Sequence, residues 1–440
     1  MNKIDRVDVY YDGKKAGYLE RNQASFSFRY ASDYLQDQYA LPISCTLPLR
    51  NEEFLSEHLH SFFRGLEPQG WYKKTLLNLD RIDPKDTFTL LAVNGLDLPG
   101  AVELKTVEKM TPLLRNDYSV KNKISHGEGM CLICLETCDS DYHLKCLKKF
   151  FGSTQEPVVP LSRSDFDLRV YADVRRASMS GMQVKIGVVL EEGMLKPQAV
   201  GSQFILKPAI ADLKQSAIYE HLSMKISEKL LKGKLAECAL IKLQDGNLAY
   251  LTKRFDRGNK KHHFEDLSQI LNLDQFDGTY EEVCTAIQKH SNTFSVVEFL
   301  HALLIQFYIG NDDFHLKNIA LIDIQKNSTY KRLSPLYDCI NTESLLRNMP
   351  GHSYEMAIDF FRDYESEIYL RDGHSSYQTF AYLYELAGVS TKLLDSHLSK
   401  LNKGHHVILE MIEKSLLSND DKKDFQGVLI DRLNKLNKKK

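Results

Sequence analysis

The 440-residue sequence has no long apolar run, no strong excess of either charge and no internal repeat. Each absence closes off a class of function. The formal net charge is −2, from 57 Lys and Arg against 59 Asp and Glu. A protein built chiefly to hold nucleic acid carries a clear basic surplus instead, so no direct nucleic-acid contact is expected. The one basic run, Arg432 to Lys440, reads as a solvated tail. The most apolar stretch, Phe299 to Ile309, contains His301 and Gln306 and is too short to cross a bilayer. It reads as a buried core helix, and no membrane association is expected. The opening residues, MNKIDRVDVYYDG, lack the apolar centre of a secretory leader, which points to a cytoplasmic chain. With 43% hydrophobic and 26% charged residues, the sequence has the composition of a globular protein and the length for two or three domains.

Cysteine, by contrast, is present in quantity. Of the eight, Cys131, Cys134, Cys138 and Cys146 cluster, while Cys45, Cys238, Cys284 and Cys339 are scattered through apolar segments. In a reducing compartment such a cluster points to metal before disulfide. Cys131-Leu-Ile-Cys134 followed by His143-Leu-Lys-Cys146 supplies three sulfurs and one nitrogen, a set that suits a structural zinc ion, with Cys138 able to replace one ligand. The competing reading is a knuckle that no longer binds metal and packs on Phe150 and Phe151. A site filled by four protein ligands leaves no position for catalysis at the metal.

The chain divides by pattern into four parts. Residues 1–108 mix strand and helix. Arg6 to Tyr11 alternates as a strand, Asp12-Gly13 is a turn signal and Gly17-Tyr-Leu19 resumes, so a hairpin is expected, followed by a helix over Glu57 to Leu79. Residues 109–160 read as a linker carrying the Cys/His knuckle. Residues 161–257 are strand-rich, with strands over Val184 to Leu190, Gln203 to Leu206 and Leu248 to Lys253. One amphipathic helix interrupts them, with Ile218, Leu222, Ile226 and Leu230 on one face. Residues 258–440 are mostly helical. The expected fold class is α+β: a two-lobed, protein-kinase-like fold with a strand-rich upper lobe, a helical lower lobe and a small α/β N-terminal subdomain.

The strongest chemical signal is Gly310-Asn-Asp-Asp-Phe-His-Leu-Lys-Asn318, set between an apolar helix and an apolar strand. Phosphoryl transfer needs a carboxylate for the acceptor hydroxyl and oxygen ligands for magnesium. Asp313 and Asn318 have the five-residue spacing used for those two roles in protein kinases, and Asp312 is one residue out of register. Lys317 is placed to neutralise a transferring phosphoryl group, and His315 completes the loop. Asp338, closing Ser334-Pro-Leu-Tyr-Asp, is the candidate second metal ligand. Lys207 ends the apolar run Phe204-Ile-Leu and could hold nucleotide phosphates, with Glu220 as its ion-pair partner. The sequence lacks GxGxxG; Ala177-Ser-Met-Ser-Gly-Met-Gln-Val-Lys185 offers backbone N–H groups, two hydroxyls and a lysine instead.

The succession Ser178 to Lys185, Lys207-Pro208, Arg254-Phe-Asp-Arg257, Glu265-Asp-Leu-Ser-Gln269, Asp313 to Asn318 and Tyr337-Asp338 resembles the HipA family of toxin kinases in order and spacing. Ser44-Cys-Thr-Leu-Pro-Leu49, Phe62-Phe-Arg-Gly-Leu66 and Pro99-Gly-Ala-Val102 resemble that family's N-terminal subdomain. The resemblance implies an ATP- and magnesium-dependent protein serine/threonine kinase. It implies Asp313 as catalytic aspartate and Asn318 and Asp338 as magnesium ligands. Ser178, Ser180, Gly181, Gln183 and Lys185 would form the phosphate loop, Lys207 would contact phosphate, and Lys253 to Phe255 would form the adenine hinge. Ser178 and Ser180 are the implied autophosphorylation sites, in the Ser-x-Ser pattern of the shorter members. The implied partners are a protein substrate, with aminoacyl-tRNA synthetases the recurrent targets, and a DNA-binding antitoxin. Two departures stand out. Lys253 replaces a common glutamate, which changes the charge at the hinge. Phe314 replaces a common glycine, which is expected to narrow the substrate approach. The alternatives are a small-molecule phosphotransferase, of the kind acting on aminoglycosides or choline, and a catalytically silent antitoxin-binding protein.

Overall fold

The computed structural model describes residues 4–22, 25–67, 83, 85–93, 95–106, 129–168, 184–198, 200–210, 212–258, 260–323, 331–348, 356–362, 371 and 373–438. The N-terminal part is an antiparallel sheet of order β4-β3-β2-β1-β5, formed by β1 (Arg6–Tyr11), β2 (Lys14–Arg21), β3 (Phe26–Tyr30), β4 (Phe54–Ser56) and β5 (Val102–Lys105). The expected hairpin is present, and its turn explains its residues. Asp12 and Gly13 both have positive φ (49° and 80°), the backbone of a two-residue turn whose twist matches the strands it joins. Val7, Val9 and Tyr11 alternate inward and build a core with Phe28, Phe62, Phe63 and Phe88. The helix expected over Glu57 to Leu79 is not what forms at its start. Phe54–Ser56 is strand, and α1 covers only Ser61–Gly65, capped by His60; residues 68–82 lie outside the described set. A second helix, α2 (Thr87–Val93), returns the chain to β5.

The upper lobe is a second antiparallel sheet of order β7-β6-β8-β10-β9, from β6 (Ile186–Glu191), β7 (Met194–Pro197), β8 (Phe204–Pro208), β9 (Cys238–Lys242) and β10 (Leu248–Lys253). Residues 129–160, within the stretch read from sequence as linker and knuckle, are packed into this lobe. Helix α3 (Leu144–Phe151) buries Leu147 and Phe150, and Cys131, Leu132, Ile133 and Tyr142 belong to the same core as the sheet.

Between β8 and β9 runs α4 (Ser216–Leu231), which departs from its sequence pattern. Leu222 and Ile226 are fully buried, but Ile218 and Leu230 are only half-buried, while Tyr219, His221 and Met224 on other faces are covered. The helix lies between β9 and β10 on one side and lower-lobe helices on the other, so only a narrow strip around Ile218, Lys225, Glu228 and Lys229 is left incompletely buried to mark a 3.6-residue period.

The lower lobe is helical as expected. It holds α5 (Leu267–Leu271), α6 (Tyr280–His290), α7 (Thr293–Tyr308), α8 (Thr342–Leu345), α9 (Tyr377–Leu386), α10 (Thr391–Glu413) and α11 (Asn419–Asn437). A small sheet of β11 (His263–Asp266), β12 (Ala320–Asp323) and β13 (Arg332–Leu333) faces the upper lobe. Helix α7 is the core helix read from Phe299 to Ile309: Phe299, Leu300, Leu303, Leu304 and Phe307 are all fully buried. The basic tail is corrected at its first residue. Arg432 is 2% exposed, donates to Glu343 Oε2 at 2.8 and 3.0 Å and lies over the Phe307 ring.

Two charged clusters fix the N-terminal part to both lobes. The first involves Arg254, Asp256 and Arg257. Arg254 donates to Asp256 at 2.9 and 3.1 Å and to Asp97 at 3.1 Å; Arg257 reaches Asp97 at 2.7 Å, and Gly100 N–H donates to Asp256 at 3.0 Å. The second centres on Glu265, which is 0% exposed and accepts from Ser44 Oγ at 2.6 Å, from Cys45 N–H at 3.0 Å and from Lys331. Nearby, Gln269 closes a capping box with Asp266 and donates to Phe62 O at 2.7 Å. Gly65 allows this approach, since a Cβ there would overlap the Gln269 side chain. The Arg254, Asp256, Arg257, Glu265 and Gln269 side chains of these two motifs therefore bind the N-terminal part to the rest, while Asp266 caps α5 and Phe255 packs on Phe264 and Tyr337.

Candidate active site

A cleft of about 870 Å³ opens between the two lobes. Its upper wall is β8, whose last residues bring Lys207 under α4. Lys207 Nζ donates to Glu220 Oε1 and to Asp338 Oδ1, both at 2.7 Å, so one ammonium ties the upper lobe to the loop after β13. Burial alone would lower the Lys207 pKa, but Asp338 and Glu220 together raise it above the ordinary lysine range. Glu220 is itself pushed up to about 7, by burial first, which the Lys207 charge only partly offsets. Asp338 has positive φ, 52°, a conformation that a non-glycine residue adopts at a local cost. Burial would raise its pKa, yet Lys207 and Lys185 hold it below the ordinary carboxylate value. Lys185, on the approach to β6, also lines the cleft and is lowered to about 8, chiefly by burial.

The floor is the loop after α7. Its shape comes from its own polar side chains: Asn311 donates to Gln306 Oε1 at 2.8 Å and accepts from Asp313 N–H at 3.1 Å, and Thr342 Oγ1 accepts from Asp312 N–H at 2.9 Å. Asn318 Nδ2 donates to Asp313 O at 2.8 Å, which leaves its amide oxygen for a ligand. The Asp313 side chain is half exposed to the cleft. Burial at the cleft floor and the carboxylates of Asp338 and Asp312 nevertheless push its pKa up to about 7. Asp313, Asn318 and Asp338 all line the cleft. Hard oxygen donors crowded around like charge are a set that a magnesium ion would relieve.

His315 Nε2 is 3.7 Å from Asp313 Oδ1, a contact longer than a hydrogen bond, and its ring stands edge-on to Phe276. Burial lowers His315 to about 4, so the imidazole is neutral at physiological pH and can orient the carboxylate without offering it a charge. Lys317 lies in the cleft wall with Nζ buried and unpartnered among the described residues. Burial lowers its pKa, with Asp266 and Glu67 pulling the other way. The back of the loop faces the core. Phe314 is 1% exposed, lies between Tyr280 and Phe299, and its carbonyl accepts from Tyr280 OH at 2.8 Å. The expectation that Phe314 narrows the substrate approach is therefore corrected, since its ring points away from the cleft.

In the segment expected to form the hinge, Lys253 N–H donates to Glu237 O and Arg254 N–H to Gln203 O, both at 2.9 Å. Phe255 lines the cleft, and no backbone acceptor is taken by its N–H among the described residues. Its ring packs on Phe264 and Tyr337. The charge change expected at Lys253 is balanced locally by Glu237, 3.2 Å away. Ser178, Ser180, Gly181 and Gln183 lie outside the described residues. Away from the cleft, the metal-ligating atoms of Cys131, Cys134, His143 and Cys146 lie within 4.8 Å of one another, and Cys138 is not in that group.

Of the residues singled out in the sequence, Lys185, Lys207, Lys253, Phe255 and the Asp313, His315, Lys317, Asn318 and Asp338 set line one cleft, while the seam was missed. Asp97 and Lys331 carried no signal of their own, because each is a lone polar residue whose partners lie far away in the chain, and Ser44 was visible only within Ser44-Cys-Thr-Leu-Pro-Leu49. The buried partners Arg254 and Glu265 were visible only as members of motifs.

Comparison with known proteins fits this geometry. A family model described as the HipA-like C-terminal domain matches residues 177–406, and one described as the HipA N-terminal domain matches residues 7–105. The protein Y4mE of Sinorhizobium fredii, named as a candidate kinase, is 24% identical over 413 residues, covering 90% of this chain and 89% of that relative. An uncharacterized Haemophilus influenzae protein is 33% identical over 97 residues, covering 22% of this chain and 88% of its own length. Among solved structures, HipA of Shewanella oneidensis, determined with HipB and operator DNA, matches at a TM-score of 0.66 and 17% identity. That match spans 98% of this chain and 96% of that one, and at this identity it shows a shared fold.

Proposed function

Since the chain belongs to the HipA family, we propose that it is an ATP- and magnesium-dependent protein serine/threonine kinase of that type. The observation that carries the reading is Lys207, held at 2.7 Å from both Glu220 and Asp338, above a loop that presents Asp313 and Asn318 to the same cleft. In this reading Lys207 and Lys185 hold the nucleotide phosphates and the Phe255 N–H meets the adenine edge. Asn318 and Asp338 hold magnesium, which supplies charge neutralisation for the transferring phosphoryl group. Asp313 accepts or orients the acceptor hydroxyl proton, with the neutral His315 positioning it. Lys317 meets the charge that develops on the phosphoryl oxygens.

Ser178 and Ser180 are the proposed autophosphorylation sites. Each phosphate adds close to two negative charges beside the nucleotide phosphates, which expels the loop and lowers ATP affinity. The proposed substrate is a protein, with an aminoacyl-tRNA synthetase as the family's expectation, and a DNA-binding antitoxin is the proposed partner. The cysteine cluster is assigned a structural zinc ion. Phosphoproteomics of cells expressing wild type or Asp313→Ala, with mass spectrometry of protein incubated with ATP and magnesium, tests the reading. New phosphosites that depend on Asp313 support it. No transfer from ATP to any protein, this chain included, overturns it.

A further inference from the structure

The Cys/His cluster is built as a metal site and is attached to the hinge. Cys131 N–H donates to Glu136 O at 2.8 Å, Cys138 N–H donates to Gly129 O at 3.2 Å, and Leu135 has φ 63°, so a tight turn brings Cys131 and Cys134 together. Helix α3 then supplies His143 at its N-terminal boundary and Cys146 in its first turn. His143 Nδ1 lies 3.4 Å from Cys134 Sγ and 3.9 Å from Cys146 Sγ. Tetrahedral zinc with Zn–S bonds of ~2.3 Å and Zn–N bonds of roughly 2.0–2.1 Å has N···S edges of roughly 3.6 Å, and the two separations bracket that figure. The outer contacts agree. His143 Nε2 is 3.0 Å from Thr137 O, so its proton goes to that carbonyl and the Nδ1 lone pair is left facing the sulfurs. His143 N–H donates to Cys131 Sγ at 3.4 Å.

The loop that carries these ligands caps the free edge of the upper sheet. Leu240, in edge strand β9, donates its N–H to Leu132 O at 2.7 Å, and its carbonyl accepts from Tyr142 OH at 3.1 Å. Asp141 pairs with Lys242 at 2.9 Å, also on β9. From the same unit, Phe150 and Phe151 pack on Phe204 with centroids 5.8 and 5.9 Å away. Phe204 is the β8 partner of Lys253, the first hinge residue, and Lys253 Nζ lies 5.3 Å from the Phe150 ring centroid. None of the four ligands lines the cleft.

We propose that zinc held by Cys131, Cys134, His143 and Cys146 braces β9 and the hinge from behind, so that metal occupancy sets nucleotide affinity from outside the cleft. Without the ion, the turn at Cys131 and Cys134 loses its cross-link to His143 and Cys146, and the apolar packing of Leu147 and Phe150 is left to hold the turn and the helix in register. The edge of β9 then loses its cap, and the hinge loses the aromatic support under Lys253. The coupling to nucleotide rests on the kinase reading above; the brace itself does not.

The test uses the full chain, purified reduced. Metal analysis should find about one zinc per chain. A zinc chelator, with magnesium kept in excess, should release it and speed hydrogen exchange at the Leu240 and Lys253 amides. It should also weaken binding of a non-hydrolysable ATP analogue by roughly ten-fold. Re-added zinc(II) should reverse all three effects. Cys146→Ser should reproduce the loss, and Cys138→Ser, outside the ligand set, should not. If Cys146→Ser fails to fold, chelation and re-addition on the wild type decide the matter. Protein that neither contains zinc nor takes up titrated zinc(II) overturns the proposal. So does zinc loss that leaves Leu240 exchange unchanged. Faster exchange with unaltered analogue affinity overturns the coupling. If the zinc-loaded protein binds no analogue at all, the kinase reading fails, and Leu240 exchange still decides the brace.

Discussion

Two sets of buried charges lie close together in this molecule and are treated in opposite ways. At the seam with the N-terminal part, Glu265 takes hydrogen bonds from Ser44, Cys45 and Lys331, and Asp97 and Asp256 are gripped by Arg254 and Arg257. In the cleft, Glu220 Oε2, His315 Nδ1 and Lys317 Nζ are buried and have no partner among the described residues. Burying a polar atom unpaired costs about 1–3 kcal/mol, so native proteins rarely leave several together without reason. At the seam the carboxylates are all paired, with Arg257 Nε and the two ring nitrogens of His263 the unpartnered atoms among the described residues, and this paired charge holds parts in place. Unsaturated charge in the cleft marks where a ligand supplies the missing partners.

The largest expected effect breaks the comparison on the cleft side. Asp313→Ala should reduce autophosphorylation by about 10³-fold, as for loss of a general base, and Asp338→Ala should act similarly by removing a metal ligand. Asp313→Ala should not lower the urea midpoint much, because its carboxylate adds repulsion to the unliganded cleft, whereas Asp338→Ala should lower it, because it takes a 2.7 Å ion-pair partner from buried Lys207. Equal losses of rate and stability in Asp313→Ala would erase the distinction between cleft and seam.

The seam should respond the other way. Glu265→Ala leaves the Lys331 ammonium buried with its main counter-charge gone, and should destabilise the protein by about 3 kcal/mol in equilibrium unfolding. Nucleotide affinity of the fraction that remains folded should change little. A strong fall in affinity at unchanged stability would place Glu265 in the catalytic machinery.

How much of this was legible before the structure depends on the range of the cause. The Asp12-Gly13 hairpin and the core helix around Phe299 were readable because turn chemistry and apolar runs act locally. That Asp313, Asn318 and Asp338 would meet in one cleft was readable from the five-residue loop spacing of the first two and the place of Asp338 after a short strand. The orientation of Phe314 was not, since the pocket that receives its ring is made by Tyr280 and Phe299 from other helices. Arg432 looked like tail because its partner, Glu343, is distant in sequence. The face of α4 was misread because a helix packed on two sides, with only a narrow strip around Lys225, Glu228 and Lys229 near solvent, carries little polar pattern to mark its period.

A smaller effect sharpens the contrast inside the cleft. Lys317→Met keeps the length of the side chain and removes a buried charge that lacks a partner, so stability should rise by about 1 kcal/mol while phosphoryl transfer falls. Thermal unfolding and initial rates, measured on the same preparations, check both signs. A drop in stability would show that Lys317 is supported in a way the seam comparison does not allow for.

The smallest effects come from pH, and they have opposite signs in the two regions. At the seam, burial holds His263 below its ordinary value of 6.5, even though Glu265 pulls it upward. The unfolded chain therefore takes up a proton near pH 6.5 that the folded chain resists, and this contribution is present above pH 6.5 and lost as pH falls below it. Glu265 adds to the same trend at lower pH. Burial would raise its pKa, but Lys331 and His263 hold it well below 4.5, so its contribution is lost as pH falls below that value. Asp313 runs the other way. It is raised from 3.8 to about 7 in the metal-free cleft, chiefly by burial and by Asp338, so the folded protein keeps a proton that the unfolded chain releases. Its contribution is present below pH 3.8 and is lost as pH rises toward 7. One proton sets an upper limit of about 1.4 kcal/mol per pH unit for each slope. The slope should be smaller for Asp313, whose side chain is half exposed. Unfolding free energies of metal-free wild type, His263→Gln and Asp313→Asn, measured from pH 4.5 to 7.5, isolate the two terms by difference. Relative to wild type, His263→Gln should flatten the loss of stability on the acid side. Asp313→Asn should gain on wild type as pH rises. Parallel curves for all three would mean that neither region distinguishes the folded chain's protons from the unfolded chain's.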